Sequence, residues 1–232
     1  MISMKDHYLN SWVFLLKNLS EFKIPILLLT ILNILAAIIA LKWNATTNWS
    51  VNSIEHLIFG IFTVLFLNLI LSVFITNITR KNMGKQILNK EDILGTILKT
   101  FFLNILLFLV LLLVFLFVSY LAGFTNNPVN HINLYFDGNS QVLVILESLG
   151  LVMLFSLFIL PSMINRNSLI GSIKESIVLV GNNKVKSLIL LFTIILAVLI
   201  SFIPFFGLIS GFTITYLTIL TTQIYVDLNP IE

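Results

Sequence analysis

Six long apolar segments, separated by short polar stretches, dominate the pattern of this chain. Each is close to the length of about 20 residues that an α-helix needs to cross about 30 Å of hydrocarbon. The pattern therefore predicts an all-α, polytopic membrane protein that forms a single integral membrane domain over residues 1–232. The predicted transmembrane spans are Ile24–Leu41, Ile54–Thr79, Phe101–Phe124, Val142–Met163, Leu188–Ile203 and Phe205–Asp227.

The basic residues are concentrated on one side of the predicted membrane, in every second connection between the spans. Of the thirteen Lys and Arg residues, all except Lys42 precede the first span, lie between the second and third, or lie between the fourth and fifth. Short loops rich in Lys and Arg stay in the cytoplasm. The sequence therefore predicts a multi-pass protein of the cell membrane with both termini cytoplasmic.

Three shorter segments carry apolar residues at helical spacing on one side only: 8–19, 92–100 and 168–180. Each precedes a pair of spans on the predicted cytoplasmic side, which is typical of helices that lie in the membrane interface. Asp92 and Ser168 are predicted N-caps, because a side-chain oxygen there can accept a free helix N–H. Gly181-Asn182-Asn183 is a predicted helix end.

Two of these segments resemble each other. In Asp92–Thr100 and Ser168–Ser176 the glycine, hydroxyl and aliphatic positions coincide, whereas 8–19 fits the pattern loosely. The match favours three repeats of an interfacial helix plus a transmembrane hairpin, related by an axis near the membrane normal. The alternative is that such matches arise by chance in a chain so rich in Ile, Leu and Phe.

Composition agrees with a lipid environment. The chain is 58% hydrophobic and 10% charged, with a mean hydropathy of +1.06, against roughly 25% charged residues in soluble domains. The formal charge of +3 is explained by cytoplasmic rims that face anionic lipid, so the expected partner is the bilayer and not nucleic acid. The absence of cysteine excludes disulfides and thiolate chemistry, and the sequence predicts no cofactor and no metal site.

Polar residues inside the predicted spans are the first candidates for function, because they are costly in a membrane. Glu147 is the clearest, as a proton or cation site or as a helix-to-helix contact. Asn33, Asn68 and Asn104 either line a polar pathway or bond neighbouring helices. The spacing of Gly207 and Gly211 favours a close packing face between helices.

A second set of candidates lies on the predicted cytoplasmic face, where it would form a docking surface: Asp92, Lys99, Ser168, Lys174 and Glu175. The three His residues, His7, His56 and His131, lie outside the middle of any span. No nucleophile, acid and base converge in the sequence pattern, so an enzyme is not expected.

The stretch Ser168-Leu-Ile-Gly-Ser-Ile-Lys-Glu-Ser-Ile-Val-Leu-Val-Gly-Asn-Asn183, running into a final hairpin, carries a family resemblance. With the six spans and cytoplasmic amphipathic helices, the chain resembles prokaryotic six-helix membrane proteins related to the membrane domain of glycerophosphoryl diester phosphodiesterases. The resemblance implies an integral membrane role that assists transport or envelope and lipid homeostasis. The phosphodiesterase domain of the larger proteins has no counterpart here, so no hydrolase activity is implied.

Two other functions fit the same pattern. The first is the permease subunit of an ABC exporter, in which the helix Asp92–Thr100 would dock on a cytoplasmic ATPase. The second is a secondary transporter in which Glu147 would bind the coupling ion.

Overall fold

The computed structural model describes residues 3–44, 51–85, 87–121, 157–166, 168–201 and 209–229. Over these residues the protein is all-α, as the sequence predicts. The helices in chain order are α1 (Met4–Lys17), α2 (Leu19–Asn44), α3 (Val51–Asn82), α4 (Lys90–Leu121), α5 (Ile159–Arg166), α6 (Leu169–Asn182), α7 (Lys184–Ser201) and α8 (Ser210–Leu228). Most of the predicted span Val142–Met163, with Glu147, and Gly207 lie outside the described residues.

The described helices do not establish the six-span arrangement. Among them, no single helix is both long and apolar enough to cross a bilayer. Two bent pairs reach that length and apolarity jointly: Met4–Lys17 with Leu19–Leu35, bent by 96°, and Leu169–Asn182 with Lys184–Ala197, bent by 107°.

Helix α1 is closed at both ends by side chains. Ser3 accepts a hydrogen bond from the Asp6 backbone N–H at 3.2 Å and donates its hydroxyl proton to the Asp6 carboxylate at 2.6 Å. At the other end, the Asn18 backbone N–H and the Asn18 side-chain amide both donate to the Phe14 carbonyl. These contacts satisfy groups that a helix end otherwise leaves free. The chain then turns sharply into α2.

Helix α6 has the same kind of ends. The predicted N-cap is confirmed, since Ser168 Oγ accepts from the Gly171 N–H at 3.3 Å. The predicted helix end is also confirmed, because α6 finishes at Asn182 and the Asn183 side-chain amide donates to the Leu179 carbonyl at 3.1 Å. The chain turns here into α7.

The middle amphipathic segment, 92–100, does not form the separate interfacial helix that the sequence predicts. Residues 90–121 form one continuous helix, α4, so 92–100 is not a separate interfacial helix before a span. The helix begins at Lys90, which places Asp92 in its first turn and not at the cap. The physical reason is local: no Asn or Pro interrupts Lys90–Phe102, and the one glycine, Gly95, is accommodated within the helix.

Helix α8 is the element around which the others pack. It contacts α1, α2, α3, α5 and α7. One apolar cluster joins it to the first three helices, through Leu15, Phe22, Leu29, Ile75 and Ile219. A second joins it to the later helices, through Phe158, Leu179, Val180, Leu190, Leu191, Leu220, Ile224, Tyr225 and Val226.

At Gly211, α8 packs directly against the backbone of α2. A Cβ atom added at Gly211 would overlap the Ile26 carbonyl oxygen and the Thr30 hydroxyl, and would lie 2.7 Å from the Thr30 backbone nitrogen. Thr30 turns its hydroxyl onto the Ile26 carbonyl at 2.9 Å, which keeps it within its own helix. Because the obstacles include backbone atoms, only glycine fits without moving a helix.

Gly211→Ala is therefore expected to destabilise the protein by about 1–3 kcal/mol, the usual cost of overpacking a close contact. Thermal unfolding followed by tryptophan fluorescence measures the change. Gly95→Ala in α4 is the matched control, because nothing lies within 4 Å of its added Cβ and alanine favours a helix over glycine by about 1 kcal/mol. An equal loss in both variants would contradict the packing argument.

Candidate functional site: polar clusters at the end of α8

The last two turns of α8 carry polar side chains on two faces. Tyr225 and Asn229 are four residues apart, as are Gln223 and Asp227, and side chains at that spacing share one face of a helix. Each pair meets partners from different helices. The end of α8 thus holds two separate polar clusters.

The first, called here the Glu175 cluster, consists of Glu175, Ser162, Asn165, Tyr225 and Asn229. The half-buried Glu175 carboxylate accepts hydrogen bonds from the Ser162 hydroxyl at 2.5 Å, the Asn229 amide at 2.6 Å and the Tyr225 hydroxyl at 3.1 Å. The amides of Asn165 and Asn229 each donate to the Tyr225 oxygen at 3.2 Å. Hydrogen bonds to an ionised acceptor are shorter and stronger than neutral ones, so this carboxylate holds α5, α6 and α8 together.

The second, called the His7 cluster, consists of His7, Lys186 and Asp227. Asp227 Oδ2 lies 3.3 Å from His7 Nε2 and 3.2 Å from Lys186 Nζ. The exposed fraction of the side chain is 3% for His7, 14% for Lys186 and 19% for Asp227. One carboxylate therefore joins α1, α7 and α8, with a cation on one side and an imidazole on the other.

Hydroxyl contacts extend the His7 cluster along α1. Ser11 donates to the Gln223 side chain at 2.7 Å. Tyr8 and Thr193 share a hydrogen bond of 2.5 Å between their hydroxyls, and Tyr216 donates to the Tyr8 backbone oxygen at 3.2 Å. Helix α1 is thus held against the bundle by polar groups as well as by the apolar packing of Leu15.

The electrostatics of the His7 cluster favour a neutral imidazole. Burial lowers the pKa of His7 from its usual 6.5, and the positive charge of Lys186 acts in the same direction. The negative charges of Asp227 and Asp6 oppose the shift without cancelling it. The cluster can therefore hold or release a proton below neutral pH.

The candidates that the sequence places inside spans have local roles where they are described. Asn33 is half-buried and donates its amide to the Leu29 carbonyl of its own helix at 2.8 Å. The Asn68 side-chain oxygen is buried and finds no hydrogen-bond partner within the described residues. Glu147 and the side chain of Asn104 lie outside the part of the chain that the structure describes.

The candidates on the predicted cytoplasmic face differ in exposure. Ser168 and Lys174 are exposed, while Asp92 and Lys99 in α4 are half-buried. The carboxylate of Glu175 turns inward to Ser162, Tyr225 and Asn229, because those donors satisfy a charge that is partly removed from water. The half-buried Glu175 therefore has its carboxylate engaged within the helix bundle.

The sequence reasoning missed His7, Lys186 and Asp227, and it missed Tyr225 and Asn229. The available signal was two pairs of polar residues at four-residue spacing at the end of an apolar helix, Gln223 with Asp227 and Tyr225 with Asn229. Pattern alone leaves their partners unknown, since these lie on α1, α5, α6 and α7, at least 41 residues away along the chain. Among the described residues no group of three His, Asp, Glu or Cys is arranged to hold a metal ion.

Comparison of the chain with protein-family models, with curated proteins and with solved structures found no match in any of the three. The family resemblance of the Ser168–Asn183 stretch therefore stays a prediction.

Glu175→Ala is expected to lower stability by about 1–3 kcal/mol, because it leaves the buried donors of Ser162, Tyr225 and Asn229 without their shared acceptor. The neighbouring Lys174→Ala is the matched control, since Lys174 is exposed. Thermal unfolding of both variants decides the matter. A Glu175→Ala protein as stable as Lys174→Ala would show that the cluster does not hold the helices.

His7 is expected to make stability depend on pH. Its pKa is lower in the folded protein than in the unfolded chain, so the unfolded chain takes up the proton first as the pH falls below 6.5. Stability is therefore full above pH 6.5 and declines on acidification until the folded-state pKa is passed. Unfolding temperatures between pH 8 and pH 5.5 measure this decline, and His7→Gln should remove the histidine part of it. An unchanged decline in His7→Gln would assign it to other groups.

Proposed function

We propose that this chain is an integral protein of the cell membrane with six transmembrane helices and both termini in the cytoplasm. Helices α1 and α6 lie in the cytoplasmic interface, and each leads through its sharp turn into a transmembrane hairpin. The protein acts without catalysing a covalent reaction and assists transport or the organisation of envelope lipids. The family resemblance of the Ser168–Asn183 stretch supports this role.

The observation that carries the proposal is that large apolar side chains are exposed while many polar side chains are buried. Large apolar residues are exposed on several helices, among them Ile24 (62%), Phe102 (63%), Ile170 (68%) and Phe192 (66%). Beside the apolar clusters, polar residues are fully buried: Ser11, Thr76, Thr79, Arg80, Thr96, Ser162, Ser172, Ser176, Ser187 and Thr215. In water this arrangement would expose continuous apolar stripes that soluble monomers rarely show.

A lipid environment explains both the exposed apolar side chains and the buried polar ones. Aliphatic side chains lose nothing by facing hydrocarbon, and helix interfaces in membranes are enriched in small and hydroxyl residues that permit close approach. Three of the buried hydroxyls find acceptors in their own helices: Thr76, Thr79 and Thr215 each donate to the carbonyl four residues earlier, at 2.8 Å. They need no water.

The proposed orientation, with both termini in the cytoplasm, is supported by the His7 cluster. The His7 cluster brings the start of α1, the start of α7 and the end of α8 to one end of the bundle. Exposed lysines lie near the same ends of these helices, at Lys5 and Lys184. The positive-inside rule assigns such an end to the cytoplasm.

Single-cysteine labelling tests the proposal. The native chain has no cysteine, so Asn89→Cys and Asn139→Cys each report one site. In intact cells a membrane-impermeant maleimide should label Asn139→Cys, in the predicted outer loop, and leave Asn89→Cys unlabelled. A permeant maleimide, as the matched control, should label both. Labelling of Asn89→Cys from outside, or recovery of the folded protein without detergent, would overturn the topology.

A further inference from the structure

The two sharp turns found within the described residues are structural equivalents. In each, a serine caps a helix of 14 residues and an asparagine ends it, Ser3 with Asn18 and Ser168 with Asn183. One constant offset in residue number relates both pairs. We call the turns at Asn18 and Asn183, with the helices on either side, the first and second corners.

The same offset relates the burial of the two corners. The buried His7 and Ser11 of α1 correspond to the buried Ser172 and Ser176 of α6. Trp12 and Val13 are 46% and 44% exposed, and the corresponding Ile177 and Val178 are 45% and 57% exposed. Each interfacial helix therefore turns polar groups inward and apolar groups outward at matching positions.

The match continues past each corner. Leu27 and Ile31 of α2 are 60% and 44% exposed, and their equivalents in α7, Phe192 and Leu196, are 66% and 47% exposed. The residue types differ while their exposure is the same. Both corners thus offer an apolar stripe that descends along the second helix from the turn.

Lysine stands beside both turns. Lys17 precedes Asn18, Lys184 follows Asn183, and Lys23 lies one turn into α2; all three are exposed. Glu21 is also exposed beside the first corner and offsets one of its two charges. Among the exposed side chains that flank each turn, Lys17, Glu21 and Lys23 give the first corner one net positive charge, and Lys184 gives the second corner the same charge.

We infer that each corner binds one anionic phospholipid of the cytoplasmic leaflet. The lysines hold the headgroup phosphate, and an acyl chain lies along the exposed stripe of α2 or α7. The charge next to an apolar stripe selects this occupant over a zwitterionic lipid, because a basic residue at a membrane surface favours anionic headgroups. The inference rests on the proposed membrane function.

The experiment measures how added lipid stabilises the purified full-length protein in a neutral detergent. Phosphatidylglycerol and phosphatidylcholine of identical acyl chains are titrated separately, and the unfolding temperature is followed by tryptophan fluorescence. We expect phosphatidylglycerol to raise it further than phosphatidylcholine. In the triple variant Lys17→Gln, Lys23→Gln, Lys184→Gln, the apparent affinity for phosphatidylglycerol should fall about fivefold per headgroup contact removed.

The control is Lys81→Gln, Lys174→Gln, which removes two charges from exposed lysines that do not flank either turn. It should keep the preference for phosphatidylglycerol. All five lysines are exposed, so both variants should unfold like the native protein before lipid is added.

Three results would overturn the inference: equal stabilisation by the two lipids, an equal loss of preference in both variants, or no loss in the corner variant. Equal stabilisation is also the result expected if a protein partner covers the corners. Failure of the membrane proposal is separate, because it appears in the cysteine labelling and not in the lipid preference.

Discussion

Two carboxylates, Glu175 and Asp227, set the arrangement of the bundle at one end. Neither is fully solvated, and a charge removed from water must find donors or cations. Glu175 finds them on α5 and α8, and Asp227 finds them on α1 and α7. Apolar packing is weakly directional. The hydrogen bonds and ion pairs of these two carboxylates therefore fix where α1, α5, α6 and α7 lie along the axis of α8.

The close approach of α2 to α8 is the second constraint. Gly211 lets the two backbones meet over Ile26 and Thr30, and the apolar cluster of Leu29, Ile75 and Ile219 packs beside that contact. Small residues at a helix crossing increase the packing contact when the hydrophobic effect contributes little between helices, as in lipid. The carboxylates and the glycine contact act at different positions along α8, so together they hold it at two points.

Much of the fold follows from sequence pattern. The apolar segments predict helices, and α2, α3, α7 and α8 cover the corresponding predicted spans wherever the structure describes them. Ser168 and Asn183 were identifiable as helix ends, because their side chains satisfy nearby backbone groups. The continuity of α4 was missed, since a stripe of apolar residues at its start looks the same whether or not the helix later bends.

The repeat relation shows where pattern fails. Sequence similarity joins 92–100 with 168–176, whereas the structural equivalents are α1 and α6, which share caps, length and sharp turns. His7 and Ser172 are different residue types, yet both are buried at the same position of a 14-residue helix. The positions of the capping residues therefore identify structurally equivalent helices here better than residue identity does.

The amino-acid sequence by itself determined the helical class, the two ends of α6 at Ser168 and Asn183, and the apolar character of each segment, because these depend on neighbours within a few residues. Only the tertiary structure decided which face of each helix turns inward, that the Glu175 carboxylate is shared by Ser162, Tyr225 and Asn229, and that His7 meets Asp227 from the opposite end of the chain. The physical reason is that a partner for a buried charge is chosen by proximity in space. Residues far apart in sequence acquire that proximity only when the helices pack.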